Sequence, residues 1–270
     1  MTLLVIVLGT LLAGIGSVWL AAWLSFGVIS RYTQHMLSLA AGALLATAFL
    51  HLLPEAFEQG ADAHRLFLTL LLGLVFFFLL DKAELWHHGH EHHHGPAASA
   101  LAPHSYGHVH AHGHTHSHAH DHRPGSWAVL AGDSVHCFGD GILIASAFMA
   151  DLQLGVLAAL AVLAHEVPHH MGDLVVLREG EGTRHNAFVK VSSAGAVTAL
   201  GGAVGYVLVD ALQGWLPYFL ALASSSFIYV ALADLIPQLQ KRLSARETVA
   251  QILWLALGMV LVSLVGLLVH

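Results

Sequence analysis

Eight long runs of this chain are charge-free or nearly so, at 3–29, 36–57, 66–86, 127–149, 153–177, 187–209, 215–237 and 248–269. Each approaches the roughly 20 residues that an α-helix needs to cross a hydrocarbon core about 30 Å thick. Runs of that length in succession leave little choice of architecture, because lipid offers no partner for backbone amides and each crossing segment must satisfy its own. The rest of the composition agrees: 56% of residues are hydrophobic, 10% are charged, and the mean hydropathy is +0.70. An ordinary soluble domain carries about a quarter charged residues. The fold class expected is an all-α polytopic membrane protein, an eight-helix bundle lying in the lipid bilayer.

Basic residues concentrate on the cytoplasmic side of membrane proteins. With eight spans, Arg31, Lys82, Arg123, Arg178, Arg184, Lys190, Lys241, Arg242 and Arg246 fall on one face, and Arg65 alone falls on the other. The expected topology therefore has both termini outside and the loops after spans 1, 3, 5 and 7 in the cytoplasm. The first span is expected to be retained, since no Lys or Arg precedes it and its apolar run is too long for a cleavable signal. Three sections make up the expected single membrane domain: spans 1–3 over 1–86, a loop over 87–126, and spans 4–8 over 127–270. The net charge of -7 says little, because several acids lie inside spans.

The loop between spans 3 and 4 has a composition of its own. From His87 to His122 it holds 15 of the chain's 24 histidines. His87, His88, His90, His92, His93, His94, His108, His110, His112, His114, His116, His118, His120 and His122 are the loop's expected metal ligands. Small residues separate them, with no apolar periodicity from which to build a core. Neutral imidazoles are good ligands for zinc-type ions, so the loop is read as a flexible cytoplasmic metal-binding arm. A pH-responsive spacer is the alternative.

Polar residues inside the spans carry the functional signal, since an ionisable group in a membrane is costly and faces a bundle interior or a water-filled path. In span 4, GDSVHCFGDG places Asp133, His136 or Cys137, and Asp140 at three- and four-residue spacing, one stripe of a helix. Span 5 reads HEVPHHMGD: His165, His169 and Asp173 share a stripe, with Glu166 and His170 beside it. At 1.5 Å per residue, His136 and His165 stand roughly 15 and 18 Å into their helices, both near mid-bilayer. A short connection around Asp151 makes the two helices antiparallel neighbours. Imidazole, thiol and carboxylate at one depth suit zinc and its divalent neighbours. Cys137 is the chain's one cysteine, so no intrachain disulfide forms. Interhelical hydrogen bonding without a metal is the plain alternative.

HEVPH also fits H-E-x-x-H, the zinc signature of metalloproteases, which leaves an intramembrane protease using His165, Glu166 and His169 as the rival. The proline inside the motif argues against it, because Pro168 removes a backbone donor and frees the carbonyl of Ala164. Spans 2 and 7 add a clue of another kind. They end LHLLPEAFE and LADLIPQLQ, each with a polar residue, His51 or Asp234, three before a proline. The two spans run in opposite directions, as an inverted repeat requires.

Together, AAGALLATAFLHLLPEA, HCFGDG, HEVPHHMGD, YVALADLIP and the His-rich loop make the sequence resemble the ZIP (Zrt-, Irt-like) family of divalent-metal transporters, in particular its histidine-rich branch. The resemblance covers essentially the whole chain. It implies an inverted-repeat bundle, homodimers in the plasma (cell inner) membrane, and metal uptake toward the cytosol. It also implies that His136, Asp140, His165, Glu166 and His169 form the transport site. Asparagine is usual in the family where this chain has Cys137, and glutamate where it has His170; both replacements make the site softer and less anionic. Zinc is the expected substrate, with cadmium, iron and manganese as its competitors. Neither a catalytic cofactor nor a nucleic-acid partner is expected. His51, Asp133, Asp173 and Asp234 are expected along the pathway or at secondary positions.

Overall fold

The fold is that of a computed structural model, described over residues 1–25, 33–89, 125–181, 183–239 and 244–268. These residues form helices joined by short turns, with no strand among them. Eight rods follow one another. In α1, Thr2–Leu11 and Ser17–Ser25 flank a π-helical turn, Leu12–Gly16. In α2, Thr33–Thr47 and Leu53–Glu58 flank the π-turn Ala48–Leu52. Next come α3 (Ala63–Gly89), α4 (Gly125–Ala150), α5 (Leu152–Glu181) and α6 (Arg184–Ala211). In α7, Leu216–Tyr229 leads through the π-turn Val230–Leu235 into Ile236–Leu239, and α8 is Ala245–Leu268.

Seven of these helices are long and apolar enough to cross a membrane. α4 is not among them, although it spans 26 residues. Its polar content is the reason: Asp133, His136 and Asp140 sit in the middle of it, as expected of the helix that carries a polar site. The histidine-rich segment from 90 to 122 lies outside the described residues. Its first residues differ from expectation, because α3 continues through His87 and His88 to Gly89, so the loop begins later than position 87. The good helix formers Ala83, Glu84 and Leu85 carry the rod on until glycine.

Local sequence explains the turns. Pro54 offers no amide to the carbonyl of Leu50, and Pro237 none to that of Ala233. The turn before each proline relaxes to i→i−5 bonding, giving π-turns at matching places in α2 and α7. Between α4 and α5 the chain reverses at Asp151, whose Oδ1 accepts from the amides of Gln153 at 2.8 Å and Leu154 at 3.2 Å. That satisfies two of the orphan donors at the start of α5. At the α2–α3 turn, Gly60 takes φ +76°, a conformation that L side chains rarely adopt.

Lipid tails are as apolar as leucine, so helices in a membrane gain little by hiding apolar faces and associate through small residues that let backbones meet. A Cβ on Gly141 of α4 would run into the Thr198 carbonyl of α6, and one on Gly201 of α6 into the Phe138 carbonyl of α4. Gly42 and Gly258 meet the backbones of Leu255 and Leu39 in the same way, joining α2 to α8. α4 thus packs chiefly on α6 and α5, α1 on α5 and α6, α2 on α8, and α3 on α7. Two groups result, α1/α4/α5/α6 and α2/α3/α7/α8, which meet where α2 packs on α5 and α7 on α4. Most of α2 and α5 is buried, 67% and 61% of their most apolar windows, against 11% for α3 and 17% for α8. The helix bearing HEVPHHMGD is therefore central, and α3 and α8 present their faces outward.

Candidate metal centre

The α4–α5 turn at Asp151 sets the register that brings the two polar stripes together. His136 and Asp140 of α4 meet His165 and Glu166 of α5, with one ligand atom from each inside 4.8 Å of the others. His136 Nε2 lies 3.2 Å from Glu166 Oε1 and 3.4 Å from His165 Nε2. His165 Nε2 stands 3.2 Å from Asp140 Oδ2 and 3.4 Å from Glu166 Oε1. Donors around a tetrahedral ion with bonds of about 2.0–2.1 Å are themselves about 3.3 Å apart. These four spacings match that edge length, and the fifth, His136 Nε2 to Asp140 Oδ2, is longer at 3.8 Å.

Two features of the group favour a cation. Oε1 of Glu166 and Oδ2 of Asp140 are buried beside imidazole nitrogens 3.2–3.4 Å away, and buried carboxylates are costly without an opposite charge. In addition, His165 Nδ1 lies 3.3 Å from the Ala161 carbonyl, which can only accept. That contact places a proton on Nδ1 and turns Nε2, the other ring nitrogen, toward the carboxylates. A cation at the common centre would be held by that nitrogen and these two oxygens.

A second group follows one turn along. Asp133 and Cys137 of α4 meet Glu166 and His170 of α5, all four buried. His170 Nε2 is 3.1 Å from Glu166 Oε2, 3.6 Å from Asp133 Oδ1 and 4.0 Å from Cys137 Sγ. Glu166 therefore belongs to both groups, with one oxygen toward each. A third, more open group comprises Asp133, His169 and Asp173, His169 Nε2 standing 4.0 Å from Asp133 and 3.8 Å from Asp173. The three form a ladder along the α4–α5 seam, linked by Glu166 and then Asp133.

His169 stands apart from the set that the family resemblance implies. Its side chain is 38% exposed, its ring stacks on His136 at 5.6 Å and 24°, and it joins the third group instead of the first. It shares a stripe of α5 with His165, but its Nε2 lies beside Asp133 and Asp173. His51 and Asp234 belong to none of the three groups. Each lies on a π-turn, in α2 and α7, and His51 packs beside Gly266 of α8.

One contributor escaped the sequence reading. Ser17 of α1, fully buried, lies 3.0 Å from Nδ1 of His170. Its partner is 153 positions away, and a lone serine in an apolar span has no spacing to announce it.

Helices of this length and composition, packed around buried ionisable groups, define an integral, all-α polytopic membrane protein. The chain matches the model of the family described as ZIP zinc transporter over residues 1–266, and it belongs to that family. Among curated relatives, it is 26% identical over 282 residues to the zinc transporter ZIP13 homolog of Drosophila melanogaster, an alignment covering 88% of this chain and 79% of that protein. It is 32% identical over 114 residues to zinc transporter ZIP10 of Mus musculus and 34% over 116 residues to zinc transporter ZIP4 of Homo sapiens. Those two alignments cover 42% and 43% of this chain but span only 14% and 18% of the relatives' lengths. These relatives are transporters, not enzymes, and lend no support to the protease alternative.

Proposed function

We propose that this protein carries divalent transition-metal ions across the membrane, with zinc as its principal substrate, through a midplane site made by α4 and α5. The observation that carries this reading is the meeting of His136, Asp140, His165 and Glu166, with one donor atom from each inside 4.8 Å of the others and both carboxylates buried. Family membership supports metal as the substrate, and the names of the relatives support zinc in particular.

A hydrated ion sheds water for imidazole and carboxylate at the first group. It passes by Glu166 to the group of Asp133, Cys137 and His170, and then to His169 and Asp173. Ions of intermediate softness exchange readily among such N, O and S donors. Movement runs toward the cytoplasm, where the basic residues gather, both termini lie outside, and the His-rich arm receives the ion. One membrane domain does this, with α4 and α5 moving relative to α2 and α7, and the protein works as a homodimer in the plasma or cell inner membrane.

Purified protein in liposomes, supplied with zinc, provides the test. His136→Ala and His165→Ala should each cut saturable uptake by more than about tenfold while inserting and eluting like the parent, since loss of one ligand weakens an ion site steeply. Normal uptake by both variants would refute the site.

A further inference from the structure

The second group contains an imidazole whose direction is set from outside the α4–α5 pair. Ser17 Oγ lies 2.6 Å from the Gly14 carbonyl and 3.0 Å from His170 Nδ1. A hydroxyl has one proton to give. Two oxygens at 2.6 Å repel unless that proton lies between them, and a carbonyl has none to offer, so Ser17 donates to Gly14. The same hydroxyl can then meet His170 only as an acceptor, which requires a proton on Nδ1. Nε2 is thereby the ring nitrogen turned to the other groups, and it faces Glu166 at 3.1 Å, Asp133 at 3.6 Å and the Cys137 sulfur at 4.0 Å.

Between two carboxylates that nitrogen is favourable as a second N–H or, once that proton is given up, as a ligand of a shared cation. Asp133 Oδ2 is moreover buried without a hydrogen bond, and Ser17 and His170 are both fully buried. The position of Ser17 also has a local cause. It is the first residue after the π-turn Leu12–Gly16, whose wider winding alters the register of α1, and Gly14 in that turn lies against Gly195 of α6. π-turns of this kind are frequently found at functional sites.

We propose that Ser17 is a positioning residue which holds His170 in its Nδ1–H tautomer and aims Nε2 at a divalent cation shared with Asp133, Cys137 and Glu166. Metal-binding histidines are commonly fixed this way by a bond to their other nitrogen, and loss of such a partner costs about 10–100-fold in metal affinity. The assignment rests on the metal-transport reading and extends the site to α1, a helix that supplies none of the ligands.

Cobalt(II) gives a readout confined to this pocket. Cys137 is the sole cysteine, so thiolate-to-cobalt charge-transfer absorption reports its coordination alone, whatever the loop histidines bind. In the full-length protein, Ser17→Ala should raise the cobalt concentration that half-saturates this band by about tenfold or more. In a His170→Gln background, Ser17→Ala should add nothing. A wild-type band indifferent to Ser17→Ala, or an equal loss in both backgrounds, overturns the inference while leaving the transport reading intact. Absence of the band from wild-type protein overturns the inference together with the reading of this pocket. A second measurement needs no serine variant: in metal-free wild-type protein labelled with 15N-histidine, the ring whose signal is lost in His170→Gln should carry a proton on Nδ1. A ring protonated at Nε2 alone would overturn the assignment.

Discussion

Glu166 shows how much one residue can be asked to do. Oε1 faces His136 and His165, and Oε2 faces His170. A single carboxylate thereby links two groups of donors. Softness at the second group is set by its neighbours Cys137 and His170. Replacing both, Cys137→Asn with His170→Glu, substitutes hard oxygen donors for sulfur and nitrogen. Competition during liposome uptake should then shift by about tenfold, roughly 1.4 kcal/mol, from zinc or cadmium toward iron or manganese. An unchanged ranking would mean that neither side chain faces the ion. At this scale the sequence was informative wherever residues recur on one helix face: the stripes of Asp133, His136/Cys137 and Asp140, and of His165, His169 and Asp173, were legible from spacing. What spacing left open was the partition, because spacing along one helix does not say which residue of a facing helix it meets. His169 joins Asp133 and Asp173, and Ser17 joins His170 from a distant helix.

Among the elements, α4 depends most on backbone contact. Gly141 lies against the Thr198 carbonyl and Gly201 against that of Phe138, so α4 and α6 touch with no side chain between them. Gly141→Val should force the two backbones apart. Overpacking of this kind typically costs about 1–3 kcal/mol, and the measurement is a lower thermal midpoint and a broadened size-exclusion peak in detergent. The Asp151 cap makes a gentler case. Asp151→Ala should destabilise the start of α5 by about 1 kcal/mol and leave zinc uptake near the parental level, because the cap touches no residue of the three groups; a drop in uptake as steep as that of His165→Ala would show the turn to be part of the site. The π-turns of α2 and α7 follow from the prolines at 54 and 237; that of α1 has no proline to mark it.

For the whole molecule, the eight apolar runs correspond to eight successive rods among the described residues, seven of them apolar enough to count as spans on composition alone. The His-rich arm is best tested by removing it. Deletion of 90–122 should leave saturable zinc uptake largely intact while subtracting several equivalents from the zinc stoichiometry measured by calorimetry near pH 7. Imidazoles protonate below a pKa of about 6.5 and then bind no metal, so the difference should shrink at pH 5.5. Loss of all uptake in a correctly inserted deletion would make the arm part of the conduction path. The sequence by itself determined that the chain is helical and membrane-embedded, because a hydrocarbon solvent forces every backbone amide to bond within its own segment, and that constraint is local. It also determined which side chains are chemically able to hold a metal. Only the tertiary structure decided which of them meet. In a solvent that gives apolar faces no reason to seek one another, close approach is decided by complementary backbone surfaces such as those of Gly141 and Gly201, and those are made jointly by residues far apart in the chain.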